Sequence, residues 1–329
     1  MGETAKTLLD FSPTPTEESA MPALSNQRIA YFNGEYVPED QVMISFRDRG
    51  FRLGDAAFDM TRTFNGTPFK MREHIERFYR SLNYLQIDPG VSADEMIEIS
   101  EEVTRRNEHL RGDGEDYWIA QRVSRGIDGV DPSEIEHAGP TVIVEATPLP
   151  FGKRARIYRD GIDLVLSSVR RTSPDSLSPR AKTHNYLNLI MADMEAKAAN
   201  PENWPMLLDV NGNLCEAMGS NIFLVRDGAL QTPREQFVLP GISRAMVMEL
   251  AAELGIPCEE MELDPFDAMN ADEIFLTSTS LCLCGVRSVN GAAIGGGTVP
   301  GPVTQRLIDA YAESVGCDFV GQYLARLDG

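Results

Sequence analysis

Three of the four Asn-Gly pairs in this chain, each set between runs of apolar residues, constrain its fold more than any other sequence feature. They are Asn33-Gly34, Asn65-Gly66 and Asn211-Gly212. Tight hairpin turns need positive backbone φ angles, and asparagine and glycine adopt those angles at low energetic cost. Each pair therefore predicts a β-hairpin, and hairpins connect neighbouring strands of an antiparallel sheet.

Two helical patterns and then two strand patterns follow the second of these pairs. We predict helices over about residues 72–86 and 93–110, and strands over about residues 116–124 and 140–147. Helices gathered on one side of an antiparallel sheet form an α+β lobe, which is the fold class that we expect here.

A length of 329 residues is enough for two lobes of ordinary size. The segment Thr147-Pro148-Leu149-Pro150-Phe151-Gly152 predicts a link, because each proline disfavours helix in the preceding residue and lacks a backbone donor. The first residues are rich in Ser, Thr, Pro and Glu, which predicts a flexible tail. We expect a tail over residues 1–27, a small α+β lobe over 28–147, a link over 148–153 and a large lobe over 154–329.

Charge and composition exclude several classes of partner. The net charge is −20 at pH 7 and the isoelectric point is near 4.6, so the surface repels nucleic acid and anionic membranes. No apolar run approaches the roughly 18 residues that a membrane-spanning helix needs. Five cysteines in a chain of this length favour a reducing cytoplasm. Cys282 and Cys284 favour alternate positions on a buried strand over a metal site, so we predict no metal.

One lysine and one glutamate carry the strongest chemical signal. Lys182 precedes the apolar helical run that includes Leu187, and Glu216 lies between a turn and a strand. This pair suits pyridoxal phosphate, because a lysine amine forms a Schiff base with the cofactor's aldehyde while an anion keeps the pyridine nitrogen protonated. The alternatives are a surface lysine and a surface carboxylate at a strand end.

Tyr186 follows Lys182 by four residues, which is one helical turn if a helix begins at the lysine. Its phenol could then reach the 3-oxygen of the cofactor. The alternative is an amphipathic tyrosine of the core.

Three further segments suit an anion such as the phosphate of that cofactor. Arg77 offers a planar fork, and Gly241-Ile242-Ser243 brings free backbone N–H groups to the start of a helix. Thr277-Ser278-Thr279-Ser280 places four hydroxyl groups at the end of an apolar strand. Each segment has an ordinary alternative: a solvated arginine paired within its own helix, an N-cap at Ser243, and a polar loop.

With these residues assembled, the chain resembles the class IV aminotransferases, which are the fold-type IV pyridoxal phosphate enzymes. This family includes branched-chain aminotransferases, D-amino acid aminotransferases, (R)-selective amine transaminases and aminodeoxychorismate lyase. The resemblance runs from about Ile29 to Leu327. The matching motifs are Asp48-Arg49-Gly50-Phe51, Phe64-Asn65-Gly66, His74-Ile75-Glu76-Arg77, Lys182-Thr183-His184-Asn185-Tyr186, Glu216, Asn221-Ile222-Phe223, Leu239-Pro240-Gly241-Ile242-Ser243-Arg244 and Ala271-Asp272-Glu273-Ile274-Phe275-Leu276-Thr277-Ser278-Thr279.

The resemblance implies a role for each candidate residue. Lys182 would carry the cofactor and shuttle the proton of the substrate's Cα, Glu216 would bond the pyridine nitrogen, and Tyr186 would lie near the 3-oxygen. Leu239 would support the ring. The phosphate would be held by Arg77, the backbone of Ile242 and Ser243, Ser278 and Thr279. The family fold pairs an α+β N-terminal lobe with a pseudo-barrel C-terminal lobe, and the site lies between them in a homodimer.

The chain departs from the branched-chain members of the family at its substrate positions. Those enzymes typically place an arginine where this chain has Ala120, and Met60 replaces the glycine of their Phe-Glu-Gly motif. We therefore expect an amine or D-amino acid donor. The candidate substrate-binding residues are Phe58, Met60, Trp118, Ala120 and Arg122.

Arg122 is our candidate for the carboxylate of the acceptor. Trp118, Ala120 and Arg122 share one strand face, because side chains of a strand alternate with a period of two. Arg52 and Arg62 are further candidates, and a structural ion pair is the alternative for Arg122.

The resemblance implies ping-pong transamination from an amine or amino acid to a 2-oxo acid such as pyruvate or 2-oxoglutarate. Three alternatives stay open: a branched-chain L-amino acid aminotransferase, a lyase-like eliminase and a non-catalytic small-molecule binding protein. We expect a cytoplasmic homodimer with no nucleic-acid, membrane or metal partner.

Overall fold

The computed structural model describes residues 27–127, 131 and 139–327. Apart from Gln27, the predicted tail lies outside these residues. Two sheets with helices packed on them make an α+β architecture, which confirms the predicted fold class. No helix in the described ranges is long and apolar enough to cross a membrane.

Among the described residues, six strands form the first sheet: β1 (Ile29–Phe32), β2 (Glu35–Pro38), β3 (Ala56–Phe64), β4 (Thr67–Pro68), β5 (Tyr117–Ser124) and β6 (Thr141–Pro148). Their order is β2-β1-β6-β5-β3-β4, and every neighbouring pair is antiparallel. Two predicted Asn-Gly turns are confirmed, because Asn33-Gly34 and Asn65-Gly66 connect β1 to β2 and β3 to β4 with positive φ at all four residues.

The helices of this region are α1 (Arg49–Leu53), α2 (Met71–Leu85) and α3 (Ala93–Asn107). One face of α2 buries apolar side chains at helical spacing, namely Met71, Ile75, Phe78 and Leu82. That same face also buries His74, Arg77 and Ser81. Buried polar groups need hydrogen-bond partners, so we expect these three side chains to form specific polar contacts with neighbouring segments.

The second sheet contains β7 (Ile162–Arg170), β8 (Trp204–Leu208), β9 (Leu214–Ala217), β10 (Ser220–Arg226), β11 (Ala229–Pro233), β12 (Cys258–Met261), β13 (Glu273–Ser278), β14 (Cys282–Val289) and β15 (Ala292–Ala293). Its main order is β12-β11-β10-β13-β14-β7-β8-β9. Because β9 also pairs with β10, six of these strands close into a ring. This ring confirms the predicted pseudo-barrel, and β8 and β9 confirm the third hairpin.

In the part of the chain that the structure describes, six α-helices accompany the second sheet: α4 (Phe151–Asp160), α5 (Leu187–Ala199), α6 (Ile242–Glu253), α7 (Pro265–Met269), α8 (Pro302–Val315) and α9 (Phe319–Leu324). α6 and α8 pack against one buried cluster that includes Val247, Phe275 and Leu307. This cluster supports β13, whose end leads into the hydroxyl-rich turn.

The region predicted as a link is more regular than its prolines suggest. Residues 148–153 comprise the end of β6, the pair Leu149-Pro150 and the first turn of α4. Proline restricts the residue before it and not the residues after it, so a helix can begin directly after Pro150. The sequence pattern missed α4, and it missed α9 because six residues are too few to show a helical period.

Candidate active site

Lys182 lies in a non-helical segment between the two sheets. Phe58 donates its backbone N–H to the Lys182 carbonyl at 3.0 Å, and the Lys182 N–H donates to Ser81 Oγ at 3.0 Å. A bridge between Ala57 and Thr183 continues this pairing along β3. The lysine backbone is therefore fixed to β3 and α2, while its amine reaches the space between the sheets.

The surroundings of the lysine amine are aromatic. Lys182 Nζ lies 3.5 Å from the Tyr186 hydroxyl and 4.7 Å from the centre of the Phe58 ring. Tyr186 meets Phe58 edge to face, with ring centres 5.4 Å apart. No helix begins at Lys182, so the two residues are not one helical turn apart: α5 begins at Leu187, in the predicted apolar helical run, and Tyr186 is its N-cap. The non-helical segment from Lys182 to Tyr186 brings the phenol close to the amine.

Glu216 lies on β9 and is buried. Its Oε1 accepts a hydrogen bond from Arg171 Nε at 2.5 Å, and its Oε2 accepts one from the Leu239 N–H at 3.0 Å. Two donors suit the ionised carboxylate, which can only accept. The surface-carboxylate alternative for Glu216 is therefore wrong. Lys182, Tyr186, Glu216 and Leu239 line one cavity, so the structure brings these four predicted residues together.

Arg171 is a residue of this cavity that the sequence patterns did not identify. It directly follows β7, and its guanidinium forms the ion pair with Glu216. The only signal in the sequence is a pair of arginines after an apolar strand. Such pairs are common at strand ends, so the role of Arg171 emerges only from the pairing of distant segments.

Arg77 is buried on α2, so the alternative of a solvated helix arginine is wrong. Its Nε and Nη2 donate to the two oxygens of Asp59 at 2.8 and 2.7 Å, and its Nη1 donates to the Pro240 carbonyl at 3.1 Å. His74 Nδ1 lies 2.8 Å from the same carboxylate. Burial alone would raise the pKa of Asp59, but the Arg77 charge and the His74 contact outweigh burial and hold it well below its ordinary value.

The bond to Pro240 brings Arg77 to the start of α6. Gly241 is the N-cap of this helix and no side chain caps it, so the amides of Ile242 and Ser243 point outward without an intrahelical acceptor. Ser243 is inside the helix, so the alternative that it serves as the N-cap is wrong. A Cβ built on Gly241 would lie 2.1 Å from Asn221 Oδ1, so any other residue would require Asn221 or the helix start to shift.

The hydroxyl-rich turn follows β13 beside this arrangement. Glu216 on β9 pairs with Asn221 on β10, and Asn221 pairs with Thr277 on β13, so the three residues form a row across adjacent strands. Ser278 and Thr279 come next along the chain and are half-buried. Within the described ranges, neither forms a hydrogen bond to Arg77 or to the start of α6.

The candidate substrate residues share one face of the first sheet, as predicted. The cross-strand pairs are Phe58–Arg122, Met60–Ala120 and Arg62–Trp118. Arg122 also forms an ion pair with Glu145 at 2.8 Å, in agreement with the alternative of a structural pair. Arg62 is fully buried and donates to the Thr63 carbonyl at 3.0 Å.

Residues 56–289 match the sequence profile of the family Amino-transferase class IV. The chain belongs to the class IV aminotransferases. A Methanocaldococcus jannaschii protein named "Putative branched-chain-amino-acid aminotransferase" is 36% identical over 286 residues, covering 86% of this chain and 95% of its own length. The branched-chain-amino-acid aminotransferase of Escherichia coli K12 is 31% identical over 287 residues, covering 85% and 91%.

Solved structures agree with this assignment. The branched-chain aminotransferase of the thermophilic archaeon Thermoproteus uzoniensis, solved with norvaline, superposes with a TM-score of 0.77 at 26% identity, covering 91% of this chain and 97% of that one. The Escherichia coli enzyme superposes with a TM-score of 0.78 at 31% identity, covering 87% and 94%. The predicted two-lobed fold-type IV architecture is thus confirmed.

Class IV aminotransferases use pyridoxal 5'-phosphate, and the donor set of this class IV aminotransferase fits that group. A buried carboxylate, Glu216, suits a protonated ring nitrogen, and the uncapped amides of Ile242 and Ser243 with the nearby Arg77 suit a phosphate. Lys182 supplies the amine. When bound, the cofactor withdraws electrons from the Cα of the substrate.

Proposed function

We propose that this class IV aminotransferase moves the amino group of a branched-chain L-amino acid to a 2-oxo acid such as 2-oxoglutarate or pyruvate. The names of the relatives, which align over most of both chains, support this donor. They favour the alternative kept open above over the amine or D-amino acid donor that Ala120 and Met60 led us to expect. The single observation that carries the reaction is Lys182, with its amine beside Tyr186 and in one cavity with Glu216.

Each candidate residue has a distinct task in this proposal. Lys182 Nζ removes the proton from the Cα of the amino donor and returns a proton to the Cα of the amino acid formed from the acceptor. Tyr186 positions the lysine amine. Glu216, held by Arg171 and Leu239, keeps a negative charge beside the ring nitrogen. The phosphate is held by Arg77, the amides of Ile242 and Ser243, Ser278 and Thr279.

An amine or D-amino acid donor is the second candidate function. Its support is specific: the sheet face shared with Phe58 carries Met60 opposite Ala120, so no arginine projects from the centre of that face. A carboxylate-free donor such as 1-phenylethylamine needs no cation at this position.

A donor panel separates the two candidates. The holoenzyme is mixed in turn with L-leucine, L-valine, D-alanine and (R)- and (S)-1-phenylethylamine, and the alanine formed from pyruvate or the glutamate formed from 2-oxoglutarate is measured. We expect L-leucine and L-valine to react fastest. Faster reaction with D-alanine or (R)-1-phenylethylamine would establish the second candidate. Lys182→Ala should abolish transfer from every donor, and full turnover by that variant would refute the proposal.

We also propose a cytoplasmic homodimer. Large apolar side chains remain exposed near Phe58 and α5, including Ile44, Phe51, Leu187 and Met194, and such surfaces mark interaction sites. Every cysteine of the chain is described and none forms a disulfide, which is compatible with a reducing compartment. Light scattering on the purified protein should give twice the mass of the chain, and fractionation of the source cells should place the protein in the soluble cytoplasmic fraction.

A further inference from the structure

A second cavity adjoins the surroundings of the lysine amine. It has a volume of about 500 Å³ and is lined by Phe58, Arg122, Ser124, Thr141, His184 and Tyr186, among others. We call it the Arg122 cavity. Phe58 and Tyr186 also contact Lys182, so a substrate at the amine can extend into this space. The reaction itself uses neither Arg122 nor His184, which raises the question of what they bind.

Arg122 is only partly committed to its ion pair. Its Nε and Nη2 both donate to a single oxygen, Glu145 Oε1, at 2.9 and 2.8 Å. Among the described residues, Nη1 has no acceptor. A guanidinium offers five N–H donors in a planar fork that matches a carboxylate. Arg122 can therefore take an incoming carboxylate beside Glu145 or in its place.

His184 is a donor without a protein partner. Neither ring nitrogen forms a hydrogen bond to any residue that the structure describes, and Nε2 is buried. Burial and, to a lesser extent, the Arg122 charge lower the pKa of His184 to about 4, so the ring is neutral at pH 7 and keeps one N–H. The ring is held in place by Phe58, whose centre is 5.4 Å away, and by a backbone bond to Ala56. Buried polar groups that lack a partner are uncommon, and a bound ligand supplies one.

The carboxylate of Asp48 does not compete for this role. Its oxygens accept hydrogen bonds from the Gly50 and Phe51 amides at 2.7 and 3.3 Å and from the Ser124 and Thr141 hydroxyls at 2.7 Å each. The acidic group of the cavity is therefore satisfied, whereas Arg122 and His184 still have N–H groups to offer. A cavity with free donors suits a ligand that accepts hydrogen bonds.

The spacing fits a second carboxylate on the substrate. Lys182 Nζ lies 4.7 Å from the Phe58 ring centre, and Arg122 Cζ lies 5.6 Å from the same point, so the two cannot be farther apart than these distances together. Three C–C bonds in extended form span about 4 Å, and one ionic hydrogen bond of about 2.8 Å at the far end extends this reach to about 7 Å, which lies within that upper limit. A five-carbon dicarboxylic acid at the lysine amine can therefore reach the Arg122 guanidinium.

We propose that the Arg122 cavity binds the second carboxylate of a five-carbon dicarboxylic 2-oxo acid, with Arg122 and His184 as specificity-determining residues and Glu145 as a competitor for Arg122. This inference rests on the proposed aminotransferase function. It explains how a chain with Ala120 on the central position of the face can still place a cation near the substrate, two residues further along β5.

The test compares two acceptors with the best donor of the panel. For each variant, kcat/KM is measured with 2-oxoglutarate and with 4-methyl-2-oxopentanoate, which has methyl groups where the other has a carboxylate. The acceptor ratio is kcat/KM for 2-oxoglutarate divided by kcat/KM for 4-methyl-2-oxopentanoate. We expect His184→Leu and Arg122→Gln to lower this ratio by about tenfold or more, since a hydrogen bond to a charged group contributes at least that factor. His184→Asn, which keeps a donor, should retain a higher ratio than His184→Leu. Glu145→Gln should raise the ratio by freeing Arg122.

Matched controls lie on the surface. His109→Leu and Arg105→Gln change an exposed histidine and an exposed arginine away from the cavity and should leave the ratio unchanged. Equal losses with both acceptors in the His184 and Arg122 variants would show a purely structural role and overturn the proposal. A fall of the ratio in Glu145→Gln would also contradict it.

Glutarate binding separates a failure of this inference from a failure of the proposed function. Calorimetry on the purified holoenzyme should show tighter binding of glutarate than of butyrate, with the preference lost in His184→Leu. If that preference is present but no donor transfers its amine, the cavity assignment stands and the proposed function fails. If transfer occurs but neither the ratio nor the preference depends on His184, the proposed function stands and the cavity assignment fails.

Discussion

At the residue scale, the buried charges of the site are balanced pair by pair. Arg77 faces Asp59 and Arg171 faces Glu216, and in each pair both side chains are largely buried. A buried charge that loses its partner is far more costly than the pair itself. The site is therefore sensitive to changes that remove a charge while keeping the shape of the side chain.

Asp59→Asn tests the first of these pairs. The change leaves the Arg77 guanidinium buried without a countercharge, and we expect the free energy of unfolding at pH 7 to fall by about 3–5 kcal/mol. Chemical denaturation measures this loss. Asp94→Asn removes an exposed partner of Arg72 and is the matched control, expected to cost less than about 1 kcal/mol. A similar small effect in both variants would contradict the buried pairing.

Glu216→Gln tests the second pair at the level of catalysis. A neutral side chain cannot hold the ring nitrogen protonated, so the negative charge that develops at the substrate loses its stabilisation. We expect the cofactor to stay bound and the rate of transfer to fall by about 10²–10³. Steady-state kinetics and the cofactor's absorbance give the two readings, with the exposed Glu108→Gln as control. Rates within twofold of the parent protein would exclude the role that we give to Glu216.

At the element scale, the start of α6 is set by a glycine that packs against a neighbouring strand. Asn221 on β10 donates to the Leu239 carbonyl at 3.0 Å, and Gly241 lies directly against the same side chain. The two amides that follow Gly241 can bind an anion only while this contact keeps the helix start in place. The phosphate site therefore depends on how α6 meets β10.

Gly241→Ala should weaken cofactor binding through this element. The added Cβ would force Asn221 or the start of α6 to move, and we expect the dissociation constant of pyridoxal phosphate to rise by about tenfold or more, as for a lost hydrogen bond to a charged group. Titration of the apoprotein measures the change. Gly152→Ala is the matched control, because the space around Gly152 in α4 is open and alanine favours helix. Equal affinity in both variants would contradict the contact.

At the scale of the whole molecule, stability should rise with pH across the range in which histidine titrates. The folded-state pKa of His184 is about 4, and burial also lowers the pKa of His74 despite its bond to Asp59. Histidine in an unfolded chain has its ordinary pKa of about 6.5. The unfolded state therefore binds more protons between about pH 4 and 6.5, and protonation in that window favours unfolding.

Thermal unfolding between about pH 4.5 and 7.5 checks this linkage. We expect the melting temperature to increase with pH, and the increase to be smaller in His184→Leu than in the parent protein. His109→Leu, an exposed histidine, should follow the parent curve. Asp59 acts at lower pH, because a depressed carboxyl pKa contributes stability that is lost as the pH falls through the folded-state value. Parallel curves for all three proteins would rule out a contribution from His184.

Residue types and short patterns along the chain were enough to predict many of the local elements and the chemical candidates. Asn-Gly pairs favour positive φ, so two tight turns were predictable from residue type alone, and the strand period placed Trp118, Ala120 and Arg122 on one face. Lys182 and Glu216 were recognisable because few residue types perform their chemistry and because the surrounding motifs resemble one family. These inferences depend on properties of single residues or of short, regular segments.

Which of these groups meet depends on contacts between segments that are distant along the chain. The partners of Lys182 come from β3 and α2, the partner of Arg77 comes from the opposite face of β3, and Arg171 reaches Glu216 across 45 residues of chain. His184 loses its hydrogen-bond partners through burial, and Arg122 is divided between Glu145 and the open cavity. The hydrogen bonding of His184 and Arg122 therefore depends on burial and on contacts between distant segments. Neither can be read from the order of residues in one short segment.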